Sequence, residues 1–309
     1  MSDFCGDSPA HKLLLSKYMR PHTIDDYSTS GSWREVLGEL PTQAIDNFVR
    51  NGLLRAGNLR DHIYYKYKVP ELKIFLRQLP LPVSGRKDEL ISRLIQADSM
   101  GMEIKVQDIE VLICTERGLE MGEQYIMEQE QIRDETEWQV FKFLQDGRFG
   151  QACSTVSEYE ANQVFQRGFN VDWNNFDYQP WIKILNNIFS STPKVLVDNP
   201  PNIIEPHRIL AGMKHVWGKF KIQKWAEKIL VDEIDFQLNI ITSLISYAQY
   251  SSSLEIMKED GFEHVKIVSY VNDQLVCDEC KILNKQIFEI ENVPEFRVPI
   301  VRPALGVVA

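Results

Sequence analysis

Positively charged side chains gather in one short part of the chain, residues 72–94, which read LKIFLRQLPLPVSGRKDELISRL. Between Lys66 and Ile95 there are seven lysines and arginines against three acidic residues, a balance of +4. Subtracting this balance from the net charge of −10 leaves −14 for the rest of the chain. Clustered cations can contact phosphate groups without reading a base sequence. The segment is therefore the first candidate for a binding site in a chain that is otherwise acidic.

A second candidate is the C-x-x-C pair of Cys277 and Cys280, which encloses two acidic residues. Structural zinc usually has four ligands, often two such pairs, but no cysteine or histidine follows the motif. His264, His207, His215, a distant cysteine or a second chain would have to complete the site. A redox role is disfavoured, because acidic neighbours oppose the thiolate. Two ordinary thiols at a turn are the simpler interpretation, bound zinc is the alternative, and no other cofactor is expected.

Known catalytic motifs are missing from the sequence. It has no phosphate-binding or dinucleotide-binding glycine loop, no G-x-S-x-G and no H-E-x-x-H. His207 and His215 are predicted to be surface or capping histidines, and Asp232 and Asp235 to lie on the solvated side of a helix. We therefore predict that the protein is not an enzyme.

Composition places the chain among soluble globular proteins. Apolar residues make up 44% of it and charged residues 25%. No apolar stretch approaches the length of a membrane span, and the first residues do not resemble a signal peptide. Five cysteines, an odd and small number, do not suggest a disulfide framework. These observations predict a cytoplasmic protein.

Hydrophobic periodicity predicts a mainly α fold. Residues 1–31 lack a clear period and are predicted to be a polar tail, whereas 32–102 and 103–262 show helical patterns, one of them ending at Gly168. Alternation with a period of two appears only in 263–309, where VKIVSYV and KQIFEI predict a small β hairpin. Four tryptophans are predicted to anchor the core: Trp173, Trp181, Trp217 and Trp225.

Two short amphipathic helices flank the proline-rich elbow of the basic segment. Their apolar faces consist of Leu72, Leu76 and Leu79 in the first helix and Leu90, Ile91, Leu94 and Ile95 in the second. Helices this short must pack to be stable, because nucleation is costly. Pro80 and Pro82 exclude helix from the elbow, and Ser84 is expected to cap the second helix.

This pattern, V-P-E-L-K-x-x-L-R…L-P-V-S-G-R-K-D-E-L-I-x-R-L, resembles the SAP domain, a helix–extended loop–helix module that binds DNA and sometimes RNA. The resemblance covers residues 66–97, within the helical region 32–102. It implies that nucleic acid would face Lys73, Arg77, Ser84, Gly85, Arg86, Lys87 and Arg93. Backbone N–H groups at a helix N-terminus, together with these cations, would form a cradle for phosphate. Pro80 departs from the family, which usually has glycine there, and is expected to stiffen the elbow.

A second resemblance concerns the C-terminal segment VCDECKILNKQIFEIENVPEFRVP. It is similar to the end of head-morphogenesis-type minor proteins of tailed phages, the Mu F-like group, in which a C-x-x-C and a hairpin precede a cysteine-rich knuckle. Here RVPIVRPALGVVA stands in place of the knuckle and has no cysteine. The resemblance implies a degenerate zinc site, of which Cys277 and Cys280 remain.

The sequence thus predicts a non-enzymatic protein that contacts nucleic acid, most readily DNA, through the SAP-like helical hairpin. The alternative is a structural or assembly protein related to the phage proteins, in which the hairpin docks another protein or a second copy of the chain. No membrane partner is expected.

Overall fold

The computed structural model describes residues 8–168, 170–191, 201–218, 222–229, 238–269, 285–293 and 305–308. The chain divides into two units, Met1–Arg133 and Asp134–Ala309. Helices dominate both units, which confirms the predicted mainly α fold. Within the described residues, no helix is long and apolar enough to cross a membrane. Cys277, Cys280, Asp232 and Asp235 lie outside the described residues.

The first unit begins with two helices, α1 (Pro9–Lys17) and α2 (Asp25–Ser28). The prediction of a loose polar tail is therefore wrong for the described part of this segment. Its buried side chains include Leu14, Leu15 and Tyr18. The segment has too few apolar residues to show a helical period, so its packing against other elements is not visible in its own sequence.

The rest of the first unit consists of α3 (Gly31–Leu37), α4 (Pro41–Arg50), β1 (Leu54–Ala56), α5 (Leu59–Lys66), α6 (Val69–Gln78), α7 (Lys87–Val106) and β2 (Leu112–Cys114). The helix α7 bends at Asp98, whose φ of −153° and ψ of 68° are not helical. The strands β1 and β2 pair antiparallel, with Leu54 opposite Cys114. Strands of three residues are too short for a period of two to be established from the sequence.

The helix α8 (Glu116–Gln145) contains the boundary between the two units. The second unit continues with α9 (Phe149–Ala161), α10 (Gln179–Ser190), α11 (Pro201–Trp217), α12 (Ile222–Ile229) and α13 (Leu238–Glu259). Its core includes the predicted anchors Trp217 and Trp225, while Trp181 packs against it partly buried. Trp173, in a short 3-10 turn, is also buried.

The helix α9 ends seven residues before the predicted stop at Gly168. Asn162 follows its last residue and donates a side-chain hydrogen bond of 2.8 Å to the carbonyl of Glu158. The same carbonyl also accepts the backbone N–H of Asn162 over 3.3 Å, so the helix ends where asparagine can cap it with both groups.

The two histidines of α11 are not surface or capping residues, so that prediction is wrong. His207 is fully buried. Nε2 of His215 is buried and has no hydrogen-bond partner among the described residues. Burial lowers the pKa of His215 to about 4, which keeps the imidazole neutral near pH 7. Because α11 packs into the core on several sides, His207 and Nε2 of His215 are buried with its apolar residues.

A small antiparallel sheet lies near the C-terminus. The strands β3 (His264–Ser269) and β4 (Ile287–Glu289) pair with His264 opposite Glu289, so the predicted hairpin pairing is present. A third strand, β5 (Leu305–Val308), pairs with the other edge of β3 and was not predicted.

Candidate nucleic-acid interface

The helix–elbow–helix of the basic segment is held together by a small apolar core. Five side chains from the two helices are fully buried: Leu72, Leu76, Leu90, Ile91 and Leu94. Ile63 of α5 is fully buried in the same core. The predicted span, 66–97, omits nearly all of α5. Even so, α5 is the third packing partner that helices this short require.

Arg93 of α7 points back toward the elbow. Its Nη1 donates to the carbonyl of Pro82, and a second hydrogen bond of 3.1 Å reaches the carbonyl of Ser84. Arg93 is half-buried. The guanidinium therefore fixes the course of the elbow, and the place of Arg93 facing nucleic acid stays a prediction.

The N-terminus of α7 differs from the predicted cradle. Its N-cap residue is Arg86, so Ser84 does not cap the helix. The backbone N–H of Arg86 donates to Oε2 of Glu89 over 3.1 Å. Gly85 has a φ of 121°, and a Cβ added there would lie 2.3 Å from the same carboxylate oxygen. The helix end is thus partly occupied by its own glutamate, and position 85 requires glycine.

Lys87 turns inward. Its Nζ donates a hydrogen bond of 2.6 Å to the carbonyl of Tyr64 and lies 4.1 Å from the centre of the Tyr64 ring. Burial lowers the pKa of Lys87, although the nearby carboxylates of Asp88 and Glu71 oppose this. Lys87 therefore links α7 to α5, and its contact with nucleic acid stays a prediction.

Three predicted cations remain available for a ligand. Arg77 and Arg86 are exposed and Lys73 is half-buried. Within the described parts of the chain, none of the three side chains has an ion pair or hydrogen bond. Ser84 and Gly85 are exposed beside them in the elbow. The arrangement is an exposed turn with unpaired cations at the end of α6 and the start of α7.

Comparison with known protein families yields one match: residues 64–99 fit the family model of the SAP domain. These residues form a SAP domain. SAP domains generally bind DNA. The match begins and ends within two residues of the predicted span, and it covers a small part of the 309-residue chain, so it assigns this segment only. No curated protein and no solved structure matches the chain.

The C-terminal resemblance to phage head-morphogenesis proteins receives no support from these comparisons. The zinc site at Cys277 and Cys280 stays a prediction, since both residues fall outside the described ranges.

Pro80 occupies the elbow position where the SAP family usually has glycine. Its φ is 25°, whereas the pyrrolidine ring favours a φ near −65°. Positive φ is readily adopted only by glycine. In this chain the elbow therefore carries backbone strain at Pro80.

Lys68 is a further candidate cation of the SAP domain that is not among the site residues predicted from the sequence. It is the N-cap residue of α6, and its side chain is exposed without an ion pair to any described residue. Its backbone N–H donates to Oε2 of Glu71 over 2.7 Å, which repeats the arrangement of Arg86 and Glu89. The only signal available was its place directly before the V-P-E-L motif.

Proposed function

We propose that the protein binds DNA through its SAP domain, with Arg77 and Arg86 as the principal phosphate contacts and Lys73 as a secondary one. The observation that carries the proposal is that these cations flank an exposed elbow and have no carboxylate partner among the described residues. An unpaired arginine on a folded surface can contact a phosphate without first losing an internal ion pair.

The proposed contacts position a phosphate backbone and do not read bases. The elbow offers few donors, and the first-turn carboxylates Asp88 and Glu89 limit how closely an anion approaches the start of α7. We therefore expect weak binding with little sequence preference. Three phosphate contacts would weaken affinity about fortyfold between ~50 mM and ~200 mM salt.

The proposed role needs neither a catalytic residue nor a cofactor, and the proposal keeps the cytoplasmic location that the sequence predicts. A protein-docking role for the SAP domain, or an assembly role for the whole chain, is the alternative that the sequence left open. Absence of DNA binding by a folded protein would favour that alternative.

The direct test is fluorescence anisotropy with a labelled duplex of about 20 base pairs at ~50 mM and ~200 mM salt. The variant Arg77→Glu/Arg86→Glu is compared with a matched control, Arg34→Glu/Arg50→Glu. The control removes two exposed arginines of the same unit that also have no partner among the described residues. We expect the first variant to lose binding at both salt concentrations and the control to change affinity less than about threefold. Equal losses would show only a general charge effect and would contradict the proposal.

A further inference from the structure

The segment before α2 is fixed to the helix that supports the SAP domain. Tyr65 of α5 donates a hydrogen bond of 2.8 Å to Oδ1 of Asp26, and Oδ2 of Asp26 lies 2.9 Å from Nδ1 of His22. The rings of His22 and Tyr65 are 6.2 Å apart in an edge-on arrangement. Tyr18, at the start of the segment, is fully buried. The backbone position of this segment is therefore set by its contacts with the rest of the folded unit.

The same helix connects this segment to the start of α7. Tyr65 contacts the N-terminal segment, and the preceding residue, Tyr64, accepts the hydrogen bond from Lys87. Two consecutive residues of α5 thus contact the N-terminal segment and Lys87, the first residue of α7.

Arg20 lies in this segment, two residues before His22, and is exposed. In the described part of the chain its side chain has no ion pair or hydrogen bond. Its positive charge is close enough to Lys87 to add to the lowering of the pKa of Lys87 that burial causes. An exposed guanidinium therefore stands near the position where Lys87 has turned its own ammonium inward.

We propose that Arg20 is a further phosphate contact of the DNA interface and supplies, from outside the SAP domain, the positive charge that Lys87 withdraws. This inference rests on the proposed function. The ligand chemistry is that of a duplex phosphate backbone, and the interface then extends beyond residues 64–99 to the N-terminal segment. Because the backbone of this segment is already fixed, only the side chain of Arg20 loses freedom when its planar guanidinium meets a phosphate.

The test measures duplex affinity and its salt dependence for the full chain carrying Arg20→Ala, Arg20→Lys, Arg50→Ala or Arg86→Ala. We expect Arg20→Ala to weaken binding about threefold to tenfold at ~50 mM salt and to reduce the salt slope by about 0.9. The Arg20→Lys variant keeps the charge and should recover most of the affinity. The Arg50→Ala control should match the unaltered protein, and thermal unfolding checks that each variant is folded.

Two results separate the inference from the proposed function. Weaker binding for Arg86→Ala, with Arg20→Ala no different from Arg50→Ala, would overturn the role of Arg20 alone. If the unaltered protein does not bind the duplex, or if Arg86→Ala leaves binding unchanged, the proposed function fails and the role of Arg20 fails with it.

Discussion

Two arginines, one in each unit, donate hydrogen bonds to main-chain carbonyls at the end of a structural element. Arg93 of the SAP domain binds the elbow carbonyls of Pro82 and Ser84. Arg167 of the second unit donates to the carbonyls of Val216, over 2.9 Å, and Trp217 at the end of α11. In both units an arginine donates to main-chain carbonyls that have no partner within a helix.

The surroundings of the two arginines differ. Arg167 lies 5.1 Å from the ring of Trp173 and 5.6 Å from that of Trp181, and its Nε is 3.4 Å from a carboxylate oxygen of Glu160. Arg93 has no ion pair with any described residue. In the second unit, Glu160 thus neutralises the charge of Arg167 beside two tryptophan rings. In the SAP domain, the charge of Arg93 has no such partner among the described residues. A guanidinium can therefore serve the fold and still add to the positive potential around the elbow.

The largest expected effect comes from removing the contacts of Arg167 with Glu160 and with the carbonyls of Val216 and Trp217. Replacing Arg167 with Leu leaves Glu160 buried without its partner and two carbonyls without donors, so we expect the free energy of unfolding of the second unit to fall by about 3 kcal/mol. Denaturant unfolding followed by tryptophan fluorescence measures the loss. The double variant Arg167→Leu/Glu160→Leu should lose less than the sum of the two single variants, because it removes both charges. A loss below ~0.5 kcal/mol for Arg167→Leu would contradict the structural role.

A smaller effect is expected for Arg93, which is half-buried. Its replacement should lower stability, whereas replacement of Arg86 should weaken DNA binding. Arg93→Met should lower the stability of the SAP region by about 1 kcal/mol, since two elbow carbonyls lose their donor. Arg86→Met should leave stability within ~0.5 kcal/mol and weaken DNA binding. Hydrogen exchange of the α7 amides reports stability, and duplex anisotropy reports binding. If Arg93→Met left exchange unchanged and reduced binding as strongly as Arg86→Met, Arg93 would be the ligand contact that the sequence predicted.

The smallest expected effect concerns the elbow backbone. Pro80→Gly should raise the free energy of unfolding of the SAP region by about 0.5 kcal/mol, because relief at a positive φ outweighs the entropy that glycine adds to the unfolded chain. Pro82→Gly is the matched control. Pro82 does not have a positive φ, so this change should be destabilising by a similar amount. Loss of stability in Pro80→Gly would show that the elbow holds Pro80 without strain.

Patterns within single elements were enough to predict the helical fold and the position of the SAP domain. The apolar spacing of Leu72 and Leu76 is a local signal, and both side chains are buried in the folded chain. Gly85 fits the turn that follows the prolines, because the backbone there has a positive φ.

The direction of individual cations could not be predicted, because it depends on neighbours that are distant in sequence. Lys87 turns inward toward the carbonyl of Tyr64, which lies 23 residues earlier. Arg20 lies in a segment that contacts α5 through the hydrogen bond between Tyr65 and Asp26, which are 39 residues apart. A charge count along the basic segment therefore does not show which side chains turn inward, and it omits cations of other segments.

The most direct measurement of the central claim is the salt dependence of duplex binding, compared between the unaltered protein and Arg77→Glu/Arg86→Glu. The account predicts a slope of log affinity against log salt of roughly −3 for the unaltered protein and no measurable binding for the variant. A folded protein that does not bind the duplex at ~50 mM salt, or a variant that binds with an unchanged slope, would contradict it.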